Sequence, residues 1–441
     1  MTTSVAPTPG THPQGDSATP PKWGKTDSVW TLSLFGTAIG AGVMFLPINA
    51  GIGGIIPLII MTIIAFPMTY WAHRGMARLV LSGKSEGDGL TEVMEEHFGE
   101  GAGIFMTVLY FIAVYPLVLV YAVTLTNTVN SFMIHQLHRE PWPRWVIASI
   151  LMGSLIFVVK LGQEIVVKVM STLALPFIAV LMLIALYLIP KWNTAFFQTF
   201  DLSVAKEASG MGLGTTLMLL IPVMVFSFNH SPIISSYAVD RRKEFGEKWA
   251  DKKTCQVLAS AELLMVIVVM FFVFSCALSL TPANLAEAKE QNITILSYLA
   301  NHFDAPVLQW AAPIIALVAI CKSFLGHYLG AAEAFEGLVI TGKHIGGDKA
   351  YQRTKRLEQI SMVFILVTCI LVAWANPSIL GMIETLCGPA IAVILFLIPM
   401  WAIYKVPALK KFRASATNWF VIFIGLVAVA TIVLNIVRMF G

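Results

Sequence analysis

The chain is 441 residues long, 57% apolar and only 12% charged, with a mean hydropathy of +0.77 and a formal net charge of +4. A soluble domain sits nearer half apolar and a quarter charged, so a water-soluble enzyme or binding module is excluded. The 29 lysines and arginines are scattered over short segments, which removes a nucleic-acid surface as well.

Residues 1–21, MTTSVAPTPGTHPQGDSATPP, are rich in Pro, Thr and Ser and have no apolar run. They read as most of a disordered cytoplasmic tail over 1–27, without the pattern of a signal peptide or a lipid anchor. Apolar blocks then follow at 28–50, 53–73, 102–134, 145–161, 167–190, 211–238, 255–281, 306–339, 358–375, 378–404 and 417–438. About 20 apolar residues cross the hydrocarbon of a bilayer, so the expectation is an all-α polytopic membrane protein with eleven transmembrane helices. With the N-terminus inside, the inner segments carry 22 lysines and arginines and the outer ones 6. That bias predicts a cytoplasmic N-terminus and a C-terminus on the far side. Cys255, Cys276, Cys321, Cys369 and Cys387 lie in or beside apolar blocks without metal-ligand spacing, and read as small apolar fillers.

The first span contains Gly36, Gly40 and Gly42 within seven residues. Each interior glycine weakens a helix by about 1 kcal/mol relative to alanine. The sixth span has a second interruption, where Ser227, Asn229, His230 and Ser231 run into Pro232. Proline removes a backbone donor, and the polar cluster offers the freed backbone local partners. Both spans are therefore expected to be broken near the midplane. Five spans follow the start of each half, 28–190 and 211–404, with span eleven at 417–438 left over. An odd repeat length inverts the second half. Paired broken helices in inverted repeats point to a transporter's binding site, and half-helix ends present N–H groups to an anion and carbonyls to a cation. Together they suit a zwitterion. The alternative for the glycines is close helix packing by small residues.

The segments GTAIGAGVMFLPINAGIGGIIPLII, VMVFSFNHSPIISSYAV, SLTPANLAEAKEQNITILSYLANHF and CKSFLGHYLGA resemble the hydroxy and aromatic amino acid permease family, within it the bacterial serine transporters. The resemblance runs from about residue 23 to the last span. It implies a LeuT-type fold with a five-plus-five inverted repeat, in the bacterial inner membrane with the C-terminus periplasmic. The implied activity is import of L-serine by proton-coupled symport, with no cofactor and with a proton preferred to sodium as the coupling ion. Threonine or an aromatic amino acid as cargo, and sodium as the ion, stay open. A receptor would need a substantial soluble signalling domain, an enzyme a reactive constellation, and an ATP-driven pump a phosphate-binding loop.

On this reading Thr37, Ala38, Ile39, Gly40, Ala41 and Gly42 supply the first broken segment. Amides near Ala41 and Gly42 are expected to hold the substrate carboxylate, and carbonyls near Thr37 and Phe226 its ammonium. Ser227, Asn229 and Ser231 are candidates for the substrate hydroxyl, because each side chain donates and accepts. The alternative for each is capping of the broken backbone. His230, whose ordinary pKa lies near working pH, reads as a proton carrier or as a neutral ring bonded to the break. Lys322 has no acidic residue within nine positions. A lysine at that depth is expensive and marks a functional site by default. By resemblance, Lys322 and Ser323 stand where sodium-coupled members hold a cation. The ammonium is expected on carbonyls near Thr37 and Gly40, either as the proton-coupling group or as a permanent strut. Glu384, just before an expected break at Gly388–Pro389, reads as a gate or proton site, or as an interfacial carboxylate. Glu262, Glu333 and Glu336 read as structural. Of Tyr110, Tyr115, Tyr121 and Asn127 on span three, one or two are expected to touch substrate.

Overall fold

The structure is a computed structural model that describes residues 21–440 apart from Glu86 and Gly162. Of the expected tail, residues 1–20 lie outside the described residues. The first helix starts at Lys25, a turn earlier than the expected boundary, because Asp27 accepts the Gly24 N–H at 2.8 Å and closes the N-terminus.

All described regular structure is helical. Helix α1 (Lys25–Ala38) is followed by a short turn at Ala41–Met44 and α2 (Leu46–Ile52), and the two halves are bent by 51°. Next come α3 (Ile55–Val80), α4 (Leu90–Phe98), α5 (Glu100–His135), α6 (Arg144–Lys160) and α7 (Gln163–Leu188). The middle of the chain forms α8 (Leu202–Ser209), α9 (Leu213–Ser227) and α10 (Ser231–Ser279). Helix α10 is interrupted at Gly246, whose φ of 63° and ψ of 173° suit glycine alone. Helices α11 (Pro282–Glu290) and α12 (Ile295–His302) are short, and each starts at a threonine, Thr281 or Thr294, whose hydroxyl accepts a first-turn amide. Helix α13 (Pro306–Ile345), α14 (Lys355–Ala375) and two last long helices, Ile379–Lys405 and Thr417–Phe440, complete the chain.

Among the described residues seven helices are long and apolar enough to cross a membrane, eight if the bent pair counts as one. Large apolar side chains stand outward on several of them, including Ile63, Phe157, Leu183, Trp419 and Val433, each more than 60% exposed. In water such a belt would drive association; against lipid tails it is at home. The chain is a multi-pass membrane protein. All five cysteines are free.

Inside the belt α5 packs along α13, α3 along α10, and α1 against α10. The basic segment after α9 is tied to the start of the chain. Arg241 and Lys253 are buried and both reach Asp27, at 3.2 Å and 2.7 Å, fastening the start of α1 to α10. The expected break at Gly388–Pro389 is absent. The helix continues through two wider turns, Ile383–Cys387 and Val393–Leu397, in which the backbone pairs five residues apart. Gly388 there lies against the Pro222 backbone of α9, so the glycine serves close packing.

Candidate functional site

The first break follows from two extended residues. Ile39 (φ −74°, ψ 103°) and Gly40 (φ −148°, ψ −152°) stop the helix after Ala38 and leave its last carbonyls without intrahelical partners. Those carbonyls carry the negative end of the helix dipole. Lys322, buried on α13, donates from Nζ to the Gly36 carbonyl at 2.9 Å and the Ile39 carbonyl at 3.2 Å. Its neighbour Ser323 accepts the Ala41 N–H on Oγ at 3.1 Å. One pair of adjacent side chains therefore serves both sides of the break, an ammonium for its carbonyls and a hydroxyl for an amide.

The second break is the three residues Phe228, Asn229 and His230 between α9 and α10. The Asn229 side-chain carbonyl accepts the Ser231 N–H at 3.1 Å and caps the resumed helix. Ser227 donates from Oγ to the Gly42 carbonyl at 3.0 Å, joining one break to the other. The breaks also touch through backbone. A Cβ on Gly42 would come 2.9 Å from the Phe226 ring and 3.0 Å from the Ser227 Cα, so only glycine permits the approach.

Between the breaks lies a small cavity of about 20 Å³, space for about one water. Thr37, Ala38, Gly40, Ala41 and Gly42 line it from the first break, Phe226 and Asn229 from the second, Leu117 and Tyr121 from α5, and Ser323 and His327 from α13. An amino acid fits there only once the walls part. The wall offers backbone amides and carbonyls, an amide side chain and three rings, with the Lys322 ammonium beside the first break.

The expected residues divide. Ile39 does not line the cavity: its side chain is buried in the core and its carbonyl is held by Lys322. Thr37 is at the wall, with its hydroxyl turned back to the Ser33 carbonyl at 2.8 Å. Ser227 turns its hydroxyl to the Gly42 carbonyl of the other break, whereas Ser231 meets the break only through its backbone N–H, held by Asn229, and neither lines the cavity. The Ala41 amide, expected on a carboxylate, is bonded to Ser323. The carbonyls that meet Lys322 are those of Gly36 and Ile39, each one residue before the expected pair, because the helix ends before Ile39. Glu384 sits apart from the cavity, its Oε1 accepting from Asn49 Nδ2 at 2.7 Å with Lys289 Nζ at 3.5 Å.

Of the span-three candidates Tyr121 lines the cavity, edge-on to His327 with ring centroids 5.2 Å apart. Asn127 is bonded instead to Asn292 and Arg144. Sequence reasoning missed His327, although it lies one helical turn beyond Ser323 and its Nδ1 bonds the Ser323 carbonyl at 2.8 Å. It also missed His73 and read Glu262 as structural. Both meet His230 behind the second break, all three at 1% exposure or less.

Comparison with known proteins agrees with this architecture. The chain is 60% identical over 410 residues to the serine transporter SdaC of Escherichia coli K12, covering 93% of this chain and 95% of that protein. It is 48% identical over 424 residues to the threonine/serine transporter TdcC of Yersinia enterocolitica, covering 93% and 96%. Among solved structures, a manganese transporter of Eremococcus coleocola superposes with a TM-score of 0.63 at 13% identity, over 95% of this chain and 89% of that one, a likeness of fold alone. The tryptophan/tyrosine permease family matches residues 25–437. By that match and by its relatives, the chain belongs to the tryptophan/tyrosine permease family of transporters.

Proposed function

We propose that this chain imports L-serine across the bacterial inner membrane by alternating access, driven by a proton gradient. It is a transporter and no enzyme, and serine as cargo is supported by the extent of its likeness to the E. coli serine transporter. The reading counts eleven spans. To the seven long helices it adds the bent pair, α6, α7, and α9 joined to the first part of α10. Two inverted groups of five then place the breaks of the first and sixth spans together at the midplane. The N-terminus is cytoplasmic and the C-terminus periplasmic.

The single observation that carries the coupling ion is Lys322. Its ammonium sits on the Gly36 and Ile39 carbonyls at 2.9 and 3.2 Å, with no carboxylate on it among the described ion pairs. Carbonyls at a helix C-terminus are what a bound sodium would use; here a covalently attached cation takes them. Protonation of Lys322 then holds α13 against the first break, and loss of the proton loosens that contact. Substrate meets the cavity lined by Gly40, Ala41, Gly42, Phe226, Asn229, Ser323 and His327. Threonine beside serine is the second reading, favoured by the likeness to the Yersinia threonine/serine transporter.

The test is uptake of labelled L-serine into proteoliposomes holding this protein alone, with pH and sodium gradients imposed separately. Accumulation driven by the pH gradient alone is expected. A requirement for sodium would make Lys322 a strut; uptake in neither condition would change the cargo first.

A further inference from the structure

Behind the second break, away from the cavity, α3 and α10 bury three titratable side chains together. His73 and His230 stack with ring centroids 3.6 Å apart and planes 6° from parallel. Glu262 Oε1 lies 3.0 Å from His230 Nε2 and 3.4 Å from His73 Nδ1. Neither Glu262 oxygen nor His230 Nε2 makes an aligned hydrogen bond among the described residues. A buried unpaired carboxylate is costly, so the cluster calls for an occupant.

The hydrogen bonds around the rings say what it is. His73 Nδ1 is 2.8 Å from the Thr69 carbonyl, which can only accept, so Nδ1 carries hydrogen. Its Nε2 accepts the His230 backbone N–H at 3.3 Å, so His73 is neutral. His230 Nδ1 likewise donates to the Phe228 carbonyl at 3.1 Å. That leaves Nε2 of His230 facing Glu262 Oε1, two lone pairs 3.0 Å apart unless one proton lies on one of them. A metal ion is the competing occupant, since the three side chains cluster closely enough to hold one. An imidazole binds a metal in its own plane, however, and two stacked parallel rings cannot both have one ion in plane.

We propose that His230 and Glu262 share one exchangeable proton and that this pair is a proton site of the transport cycle, distinct from Lys322. The inference rests on the proton-coupled reading above and adds a second place where that proton is held. With the proton the pair is neutral overall; release leaves a neutral imidazole beside a carboxylate, one buried negative charge. Asn229, which lines the cavity, lies between Phe228, whose carbonyl holds His230 Nδ1, and His230, whose N–H is held by His73. Proton occupancy thus acts on the two residues flanking a wall of the substrate site. Several charges on neighbouring elements are engaged elsewhere. Asp27 takes Arg241 and Lys253, Asp251 takes Arg78, Arg74 bonds Thr417, and Tyr187 on α7 lies beside Lys191.

The experiment compares wild type, Glu262→Gln and His230→Gln in proteoliposomes, by serine counterflow, which needs no net proton movement, and by accumulation under a pH gradient. Metal content of the purified wild-type protein is measured alongside. Expected are counterflow retained, gradient-driven accumulation lost in Glu262→Gln, a serine affinity in that variant that no longer changes with pH, and no stoichiometric metal. Accumulation at the wild-type level in both variants overturns the proposal. So does loss of counterflow in parallel with accumulation in both, which would mark a structural cluster, and so does a retained divalent metal. Wild type that fails to accumulate serine under a pH gradient removes the proton-coupled reading itself, an outcome distinct from variants that stay coupled.

Discussion

The two breaks solve the same problem by different chemistry. At Ile39–Gly40 the freed carbonyls and an amide are met from outside the helix, by Lys322 and Ser323 of α13. At Phe228–His230 they are met mostly from within or by a neutral ring, through Asn229, His230 itself and His73. The first is held by a full charge on a neighbouring helix, so its integrity depends on how α13 sits against α1. The second is held by short-range neutral bonds, with the Glu262 carboxyl one layer back, beside His230. On the proposed reading, the charge-held break responds to helix movement and the neutral one to the proton count behind it.

Removing the charge breaks this contrast most directly. In Lys322→Met the Gly36 and Ile39 carbonyls lose their donor, at about 1–3 kcal/mol for each one stranded. Proton-driven serine accumulation is expected to vanish, and unchanged accumulation would remove Lys322 from coupling.

The anchor common to both broken segments comes next. Asp27→Asn leaves Arg241 and Lys253 buried without their shared carboxylate, although Arg241 keeps Asp240 and Glu244. Breaking a buried pair in this way costs about 3–5 kcal/mol, here moderated by those remaining partners, and thermal unfolding in detergent reads it.

The backbone contact between the breaks is sharpened by two glycines. Gly42→Ala drives its methyl against the Phe226 ring and the Ser227 backbone, an overpacking cost of about 1–3 kcal/mol. Serine uptake should fall with it. Gly40→Ala meets the Ser323 hydroxyl, whose rotation away gives up one bond to the Ala41 N–H, about 1 kcal/mol, and is expected to cost less. The reverse order would mean that the two breaks are not in contact while transport proceeds. The smallest effect belongs to Ser227→Ala, which removes one bond to the Gly42 carbonyl, worth about 1 kcal/mol. Its expected signature is a slightly lower melting temperature with serine counterflow intact.

Several of these features were legible in the residues. Gly36, Gly40 and Gly42 cluster where a helix would not choose them, and Ser227 to Pro232 interrupts an apolar block; both interruptions weaken hydrogen bonding locally, so both show locally. Lys322 stood out because an ammonium among apolar residues has no local reason to be there. The Gly388–Pro389 pair carried the same local signal and misled, because the helix met it by widening its turns while Gly388 packed against Pro222. Whether a weak point becomes a break depends on what lies across from it.

The sequence by itself determined a helical, multi-pass chain, its family, and the two segments at which helices are interrupted, because apolar length and local backbone preference are properties of neighbouring residues. Only the tertiary structure decided which groups answer those interruptions. His73, His230 and Glu262 are separated by 157 and 32 positions, yet their polar atoms meet within 3.4 Å. Lys322 reaches carbonyls 286 and 283 residues away. Such meetings are set by how α3, α10 and α13 pack around the broken segments, and no periodicity along the chain encodes them.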